Sequence, residues 1–294
     1  MGSEQAASGA AEPRLLGSTD IRALAARYQI RPARRHGQNF VVDPNTVRRI
    51  VRTAALEPDD VVLEIGPGLG SLTLELLTRA AGVIAVEVDP VLAAALPTTV
   101  QEYAPLQADH LTVLPMDALD LTEPPTPAPT TIVANLPYNV AVPVVLHVLE
   151  LLPTATRGLV MVQLEVAQRL AATPGSRTYG IPSVKAAWYA QLRQAGQVSR
   201  SVFWPPPRVD SGLVEWRRRP PPASWAQREP TFAVVDAAFA QRRKTLRAAL
   251  AACAGSTARA ESGLRAAGVD PSLRGEGLDV SDFARIAEAF AGLR

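Results

Sequence analysis

The stretch Val61-Val-Leu-Glu-Ile-Gly-Pro-Gly-Leu-Gly70 constrains this chain more than any other. An apolar run of strand length leads into three glycines spaced two apart, Gly66, Gly68 and Gly70. Ser71 follows as a candidate helix N-cap, with Leu72, Leu74, Leu76 and Leu77 behind it. Strand, glycine turn and helix in that order open a nucleotide-binding α/β domain. Glycine lets backbone approach a ligand closely, and a helix start leaves N–H groups unpaired. The dinucleotide fingerprint G-x-G-x-x-G is not met, because Ser71 holds its last position and the third glycine comes one residue early. Glu64 stands two residues before the first glycine, where a negative charge repels a pyrophosphate and suits a ligand with a cationic centre. This pattern favours S-adenosyl-L-methionine over NAD, while a glycine loop alone leaves other α/β ligand-binding proteins open.

At 294 residues the chain can form one large domain and a small one, with 47% apolar residues to fill a core. Its single cysteine, Cys253, excludes a disulfide framework and a C-x-x-C metal site, which fits a reducing cytoplasm. His36 has no second ligand nearby, so no metal site is expected. No apolar run reaches membrane-span length, and no membrane partner is expected. Residues 1–18 are rich in Ala, Gly and Ser, lack the organisation of a signal peptide, and read as a loose tail. The net charge of +2 hides an asymmetry. Residues 53–165 carry 14 acids and 2 bases, residues 31–52 carry 6 bases and 1 acid, and residues 193–247 carry 11 bases and 4 acids. An acidic centre between two basic segments suits a polyanion bound across the mouth of a domain; two solvated basic faces would look the same.

In chain order, residues 21–28 read as a short helix and Asp43-Pro44 opens another. Residues 83–87 form a second buried strand that ends in Glu87, 21 residues after Gly66, where an acid can accept from ribose hydroxyls. Asp89-Pro90 starts the next helix. A third strand over 111–114 leads to Asp117, placed at the carboxyl edge of the sheet to accept from an adenine amino group. Residues 123–129 hold four prolines and form an exposed connection. The fourth strand, 131–135, runs directly into Asn135-Leu-Pro-Tyr138. Asn135 and the carbonyl beside it can both accept from an exocyclic –NH2, Pro137 stiffens the turn, and Tyr138 can stack on a flat base. Two acceptors pull a conjugated amine toward a pyramidal shape, freeing its lone pair to attack a sulfonium methyl. A helix over 142–152, a fifth strand over 158–164, a helix from Glu165, and a further helix and strand within 181–202 follow. In the rigid segment 203–211, Phe203 either packs in the core or faces Tyr138 across a flipped base. Residues 213–216 make the last strand, and Arg217-Arg-Arg219 with three prolines marks a domain boundary. Residues 231–252 read as one helix with Arg243 and Arg247 on a shared face, followed by helices near 259–267 and 281–293.

With these motifs in order, the chain resembles the bacterial ribosomal RNA adenine dimethyltransferase family, in its small-subunit branch, over about residues 20–292. The resemblance rests on Gly37-Gln-Asn-Phe40, the 64–70 loop, Glu87-Val-Asp89, Asp117-Ala118, Asn135-Leu-Pro-Tyr138, Pro205-Pro-Pro-Arg-Val-Asp-Ser211 and Gln241-Arg-Arg-Lys-Thr-Leu-Arg247. It implies a Rossmann-like class I methyltransferase fold: an α/β seven-stranded sheet whose last strand is antiparallel, plus a small all-helical C-terminal domain. The expected division is a tail over 1–18, a methyltransferase domain over 19–219 and an RNA-binding helical domain over 225–294.

By the same resemblance, Asn39 and the backbone of Val41 would contact S-adenosyl-L-methionine, and Gly66 would lie against its amino-acid end. Glu87 would hold the ribose, Asp117 the adenine, and Asn135 would bridge the cofactor and the target amine. Leu136, Pro137 and Tyr138 would complete the target pocket. RNA phosphates would meet Arg34 and Arg35 in the first basic segment and Arg242, Arg243, Lys244 and Arg247 in the second. The implied activity is dimethylation of N6 on two adjacent adenosines near the 3′ end of 16S rRNA. The substrate would be an immature small ribosomal subunit, and the enzyme a cytoplasmic monomer. Val41 departs from the family's usual leucine at a contact that is mostly backbone. Three rivals stand beside this. Large-subunit (23S) rRNA methyltransferases that confer antibiotic resistance more often carry isoleucine at the position of Leu136 and lack the 242–247 basic segment. A non-catalytic RNA-binding assembly factor would not need Glu87, Asp117 and the 135–138 motif intact. A DNA adenine methyltransferase would more often carry Asp-Pro-Pro-Tyr.

Overall fold

Uninterrupted apolar runs alternate with amphipathic stretches along this chain, the pattern of parallel strands covered by helices on both faces. The computed structural model describes residues 13–30 and 38–292. The first part comprises α1 (Ser18–Arg27), β1 (Phe40–Val41), α2 (Pro44–Ala54), β2 (Val61–Ile65), α3 (Ser71–Leu76), β3 (Gly82–Val86), α4 (Pro90–Tyr103) and β4 (Leu111–Leu114). Next come β5 (Thr131–Asn135), α5 (Ala141–Leu151), β6 (Arg157–Gln163), α6 (Leu164–Leu170), α7 (Ile181–Tyr189), β7 (Ala190–Val198), β8 (Phe203–Trp204) and β9 (Ser211–Arg218). The C-terminal helices are α8 (Arg228–Ala240), α9 (Leu246–Ala249), α10 (Ala251–Ala254), α11 (Thr257–Ala266) and α12 (Val280–Ala291).

Seven strands form one sheet in the order β4-β3-β2-β5-β6-β9-β7. The first five are parallel, and β9, the last in sequence, runs antiparallel between β6 and β7. Strand order therefore reverses between β2 and β5, and the crevice for a ligand opens there, at the carboxyl ends of the strands. Alternate strand residues feed opposite layers. Val62, Val83, Val133 and Leu159 join α1 to α4 in one apolar cluster. Leu63, Ile84, Ile132 and Val160 join α5 to α7 in the other. The second cluster continues into the C-terminal helices through Val234, Leu246, Leu264, Phe283 and Ile286.

Four sequence expectations change. The helix expected over 231–252 starts earlier, at Arg228, and stops at Ala240. The backbone N–H groups of Leu246 and Arg247 donate to the carbonyls of Leu273 and Pro271, which breaks the i to i−4 ladder. Arg243 and Arg247 consequently share no helix face; Arg243 sits on an exposed turn and Arg247 on α9. Ser71 is the first residue of α3 rather than its cap: Gly70 caps it at φ +96°, and the Ser71 hydroxyl donates to the Val41 carbonyl at 2.7 Å. Of the expected tail, Leu15 and Leu16 are buried, and the Arg14 N–H donates to the Tyr103 carbonyl at 2.9 Å. Besides these changes, a second sheet of two strands pairs β1 with β8, Phe40 opposite Trp204 and Val41 opposite Phe203.

The sheet meets α6 without a gap at Gly212, where an added Cβ would lie 2.5 Å from the Ala167 Cβ. Both atoms are fixed to backbone, so neither can swing aside. Gly212→Ala is expected to destabilise the protein by about 1–3 kcal/mol, read as a lower denaturant midpoint with unchanged m-value. Adding Ala167→Gly should recover part of the loss.

Candidate active site

A cavity of about 460 Å3 occupies the crevice at the carboxyl edge of β2, β3 and β5. One wall is the glycine loop. Gly66, Gly68 and Gly70 all have positive φ, +70°, +59° and +96°. At position 68 a Cβ would also sit 2.8 Å from the Phe40 ring, so conformation and space both require glycine.

Glu87 follows β3 and is 5% exposed. Its two oxygens accept from the N–H groups of Gly68 and Asp89, each at 3.0 Å. Burial pushes its carboxyl above the ordinary range, and these backbone donors oppose the shift. Glu64, at 1% exposure, lines the same cavity, and its Oε2 has no partner among the described residues. Burial, reinforced by the nearby Glu87 charge, pushes its carboxyl up to about 8. Asp117 caps the short turn after β4 by accepting from the Leu119 N–H at 2.9 Å, and it too lines the cavity.

The segment around β1 closes the rim. Gln38 donates to the Asp89 carboxylate at 3.2 Å, and the Val42 N–H donates to the Val202 carbonyl at 2.8 Å. The Asn39 carbonyl accepts from the Asn135 side-chain amide at 3.1 Å. That bond uses one of the two Asn135 amide hydrogens and orients the side chain, whose oxygen is its one acceptor for a ligand. The 135–138 turn is anchored by the Leu136 N–H, which donates to the Met161 carbonyl at 3.0 Å. The Tyr138 hydroxyl lies 3.0 Å from the buried Ser211 hydroxyl, and burial raises its phenol.

The cavity thus brings together Asn39, Val41, Gly66, Glu87, Asp117, Asn135, Leu136, Pro137 and Tyr138. Phe203 is not with them. Pairing with Val41 turns it into the apolar core, 4% exposed, which corrects the reading that it faces Tyr138 across a base. Arg34 and Arg35 lie outside the described residues. Arg242 and Arg247 are tied to Glu276 at 2.9 Å and Glu261 at 3.2 Å, in the C-terminal helical region. Arg243 and Lys244 are exposed on the turn between α8 and α9. Beside the cavity residues stand Glu64, which the sequence presents as a charge next to the glycine loop, Asp89, which it presents as a helix start, and Ser211, whose bond to Tyr138 only the tertiary structure shows. Among the described residues no group of three His, Cys, Asp or Glu is placed to hold a metal ion. No helix among them is long and apolar enough to cross a membrane.

Residues 31–292 match the family model described as ribosomal RNA adenine dimethylase. A ribosomal RNA small subunit methyltransferase A from Thermobifida fusca is 65% identical over 281 residues, 96% of this chain and 98% of the relative. Its counterpart in Streptomyces coelicolor is 62% identical over 275 residues, 93% of this chain and 96% of the relative. A dimethyladenosine transferase from Plasmodium falciparum shares the fold, with TM-score 0.72 and 22% identity, covering 85% of this chain and 97% of that one. A 23S rRNA methyltransferase, ErmE, aligns with TM-score 0.65 and 30% identity, covering 86% and 99%.

Glu64 gives the ligand-free site a testable signature. Its carboxyl holds a proton up to about pH 8 when folded and loses it near 4.5 when not. Between those values the folded state binds more protons, so this group makes stability fall as pH rises, levelling off above 8. Glu64→Gln stays neutral throughout. It should exceed the wild type in ligand-free stability at about pH 9 by on the order of 4 kcal/mol, with the difference closing toward about pH 5. Denaturant titrations across that range measure it, and a pH-independent difference would contradict the assignment.

Proposed function

The chain belongs to the ribosomal RNA adenine dimethylase family, and from that premise we propose that it dimethylates N6 of two adjacent adenosines near the 3′ end of 16S rRNA. The observation that carries the reading is the meeting, in one cavity, of the glycine loop with its buried carboxylates and the 135–138 turn with its acceptors. The unpartnered Oε2 of Glu64 and the glycine cradle suit S-adenosyl-L-methionine, with Asn39, the Val41 backbone, Gly66, Glu87 and Asp117 to hold it. Each Glu87 oxygen accepts one backbone N–H and keeps a lone pair for a ribose hydroxyl. When bound, that cofactor supplies an electrophilic sulfonium methyl.

The chain's own residues prepare the other reactant. Tyr138, its hydroxyl tethered to Ser211, offers a face on which an extruded adenine stacks. Such stacking is worth ~1–3 kcal/mol and offsets much of the few kcal/mol needed to unstack the base. The Asn135 side-chain oxygen and the adjoining backbone carbonyl accept the two amine hydrogens. The nitrogen becomes pyramidal and its lone pair is released from the ring. No strong base is required, because the amine becomes acidic once alkylated and sheds its proton to water. After the first transfer one hydrogen remains for Asn135, which still orients the nitrogen for the second.

Identities of 62–65% to small-subunit enzymes, against 30% to the 23S enzyme, support 16S rRNA as the substrate. Arg243 and Lys244, exposed and far along the chain from the cavity, suit phosphates of a folded particle better than the reacting base. The ion pairs of Arg242 and Arg247 are exposed and exchange readily for phosphate.

Asn135→Ala is expected to lower turnover by on the order of 100-fold or more, the scale of losing one oriented polar group at a reacting centre. Binding to the RNA particle should stay within a few-fold. Replacing Arg243 and Lys244 by alanine should do the reverse, weakening binding and flattening the log–log salt slope by roughly 0.7–0.9 per lost phosphate contact.

The substrate itself is tested by offering undermethylated small-subunit particles and large-subunit rRNA separately, then analysing digested nucleosides by mass spectrometry. N6,N6-dimethyladenosine is expected in the small-subunit particles, and naked short RNA should be a poor substrate. Product found only in large-subunit RNA would move the protein to the 23S branch.

A further inference from the structure

A second hollow, of about 600 Å3, opens on the same edge of the sheet as the candidate active site. Gln163, Gln168, Arg200, Arg208, Val209 and Asp210 line it. Topology makes the two neighbours. β5 and β6 run parallel with Asn135 opposite Met161, so Gln163 ends β6 beside the 135–138 turn. β9 starts on that edge at Ser211, opposite Gln163. Ser211 is wholly buried and holds the Tyr138 hydroxyl at 3.0 Å, while Asp210, one residue earlier, belongs to the hollow. The Tyr138–Ser211 hydrogen bond thus ties a residue lining the first cavity to the one that follows Asp210 of the hollow.

The lining has the chemistry of a nucleotide site. Asp210 accepts from the Arg200 N–H at 2.9 Å, and the Arg200 guanidinium donates to the Arg208 carbonyl at 3.2 Å, which fixes the loop that carries both arginines. The Arg208 guanidinium has no side-chain partner among the described residues, and Glu165, which also lines the hollow, is paired with Arg169 at 2.6 Å. Arg208 is thus left for a phosphate. Gln163 and Gln168 each offer a paired donor and acceptor, as a base edge requires. Val209, 45% exposed, offers an apolar face for a base to lie on.

We propose that this hollow binds the nucleotide adjoining the target adenosine in the RNA strand, its phosphate on Arg208 and Arg200 and its base against Gln163, Gln168 and Val209. The inference rests on the reading above that two adjacent adenosines are the targets. While one occupies the cavity beside Tyr138, its neighbour occupies the hollow. Occupancy of the hollow then decides the register of the strand, and with it which adenosine is presented to Asn135.

The test uses Arg208→Ala and Gln168→Ala in the full chain. On undermethylated small-subunit particles, Arg208→Ala should raise KM roughly fivefold or more with kcat little changed. Gln168→Ala should make the two adenosines unequally methylated. Affinity for S-adenosyl-L-methionine should stay at the wild-type value in both. Wild-type KM and equal methylation in both variants would overturn the proposal. Calorimetry separates its failure from failure of the proposed function. The wild type should bind adenylyl-adenosine several-fold tighter than adenosine, and Arg208→Ala should erase that difference. Equal wild-type affinity for the two overturns the hollow, whatever the particles show. A preserved preference with no dimethyladenosine in small-subunit particles would support the hollow and overturn the proposed function alone.

Discussion

The Phe40 ring lies against the bare backbone of Gly68, and a side chain at position 68 could not share that space. The rest of the site depends on this contact. It holds β1 over the glycine loop, and from β1 the Asn39 carbonyl orients Asn135 while the Val41 carbonyl takes the Ser71 hydroxyl. The other edge of β1 pairs with β8, which begins the run to Ser211 and Tyr138. One two-residue strand therefore links the residues suited to a cofactor with those suited to a base. Rigid elements hold a reacting geometry more accurately than loops do, and here a minimal sheet performs that task for two loops at once.

The electrostatics of the cavity follow from burial. Glu64 and Glu87 stand at the ends of adjacent parallel strands, both almost out of water. An isolated buried charge is unfavourable by several kcal/mol, so Glu64 resolves the conflict by keeping its proton. Glu87 has two backbone donors and resolves it by hydrogen bonding. A ligand bringing hydroxyls and positive charge completes what the protein leaves incomplete. The repulsion of a pyrophosphate that the sequence reading draws from a charged Glu64 therefore falls away in the ligand-free site, where that carboxyl is neutral.

Recognition of a large RNA and chemistry on one amine make different demands, and the groups suited to each stand in different places. The reacting turn is narrow, half-buried and fixed by single hydrogen bonds. The basic residues on the 241–245 turn and on α9 are exposed, and those that are paired have partners easily exchanged. The arginine-bearing hollow opens on the same sheet edge as the reacting turn, where Gln163 ends β6 two residues beyond the partner of Asn135.

The strands and most helix starts were legible in the sequence. Residues 61–65, 82–86 and 131–135 are short apolar runs bounded by turn formers, and buried parallel strands need nothing else to declare themselves. Asp43 and Asp89 mark helix starts because their carboxylates accept from N–H groups two or three residues away, within the same segment. The cavity's residues were legible for a related reason: Gly66, Glu87, Asp117 and Asn135 to Tyr138 sit at the carboxyl end of a strand or within three positions beyond it, and strand order brings those ends together. What escaped depends on partners distant in the chain. The β1–β8 pair is too short to show a period, and its register alone turns Phe203 into the core. Ser71 looks like a cap until its hydroxyl meets the Val41 carbonyl 30 residues away. The helix expected through residue 252 is broken because the 271–273 carbonyls compete for the N–H groups of Leu246 and Arg247. Local propensity proposes such elements, and tertiary hydrogen bonds decide them, because a backbone donor can be satisfied equally well by a partner that no short window of sequence contains.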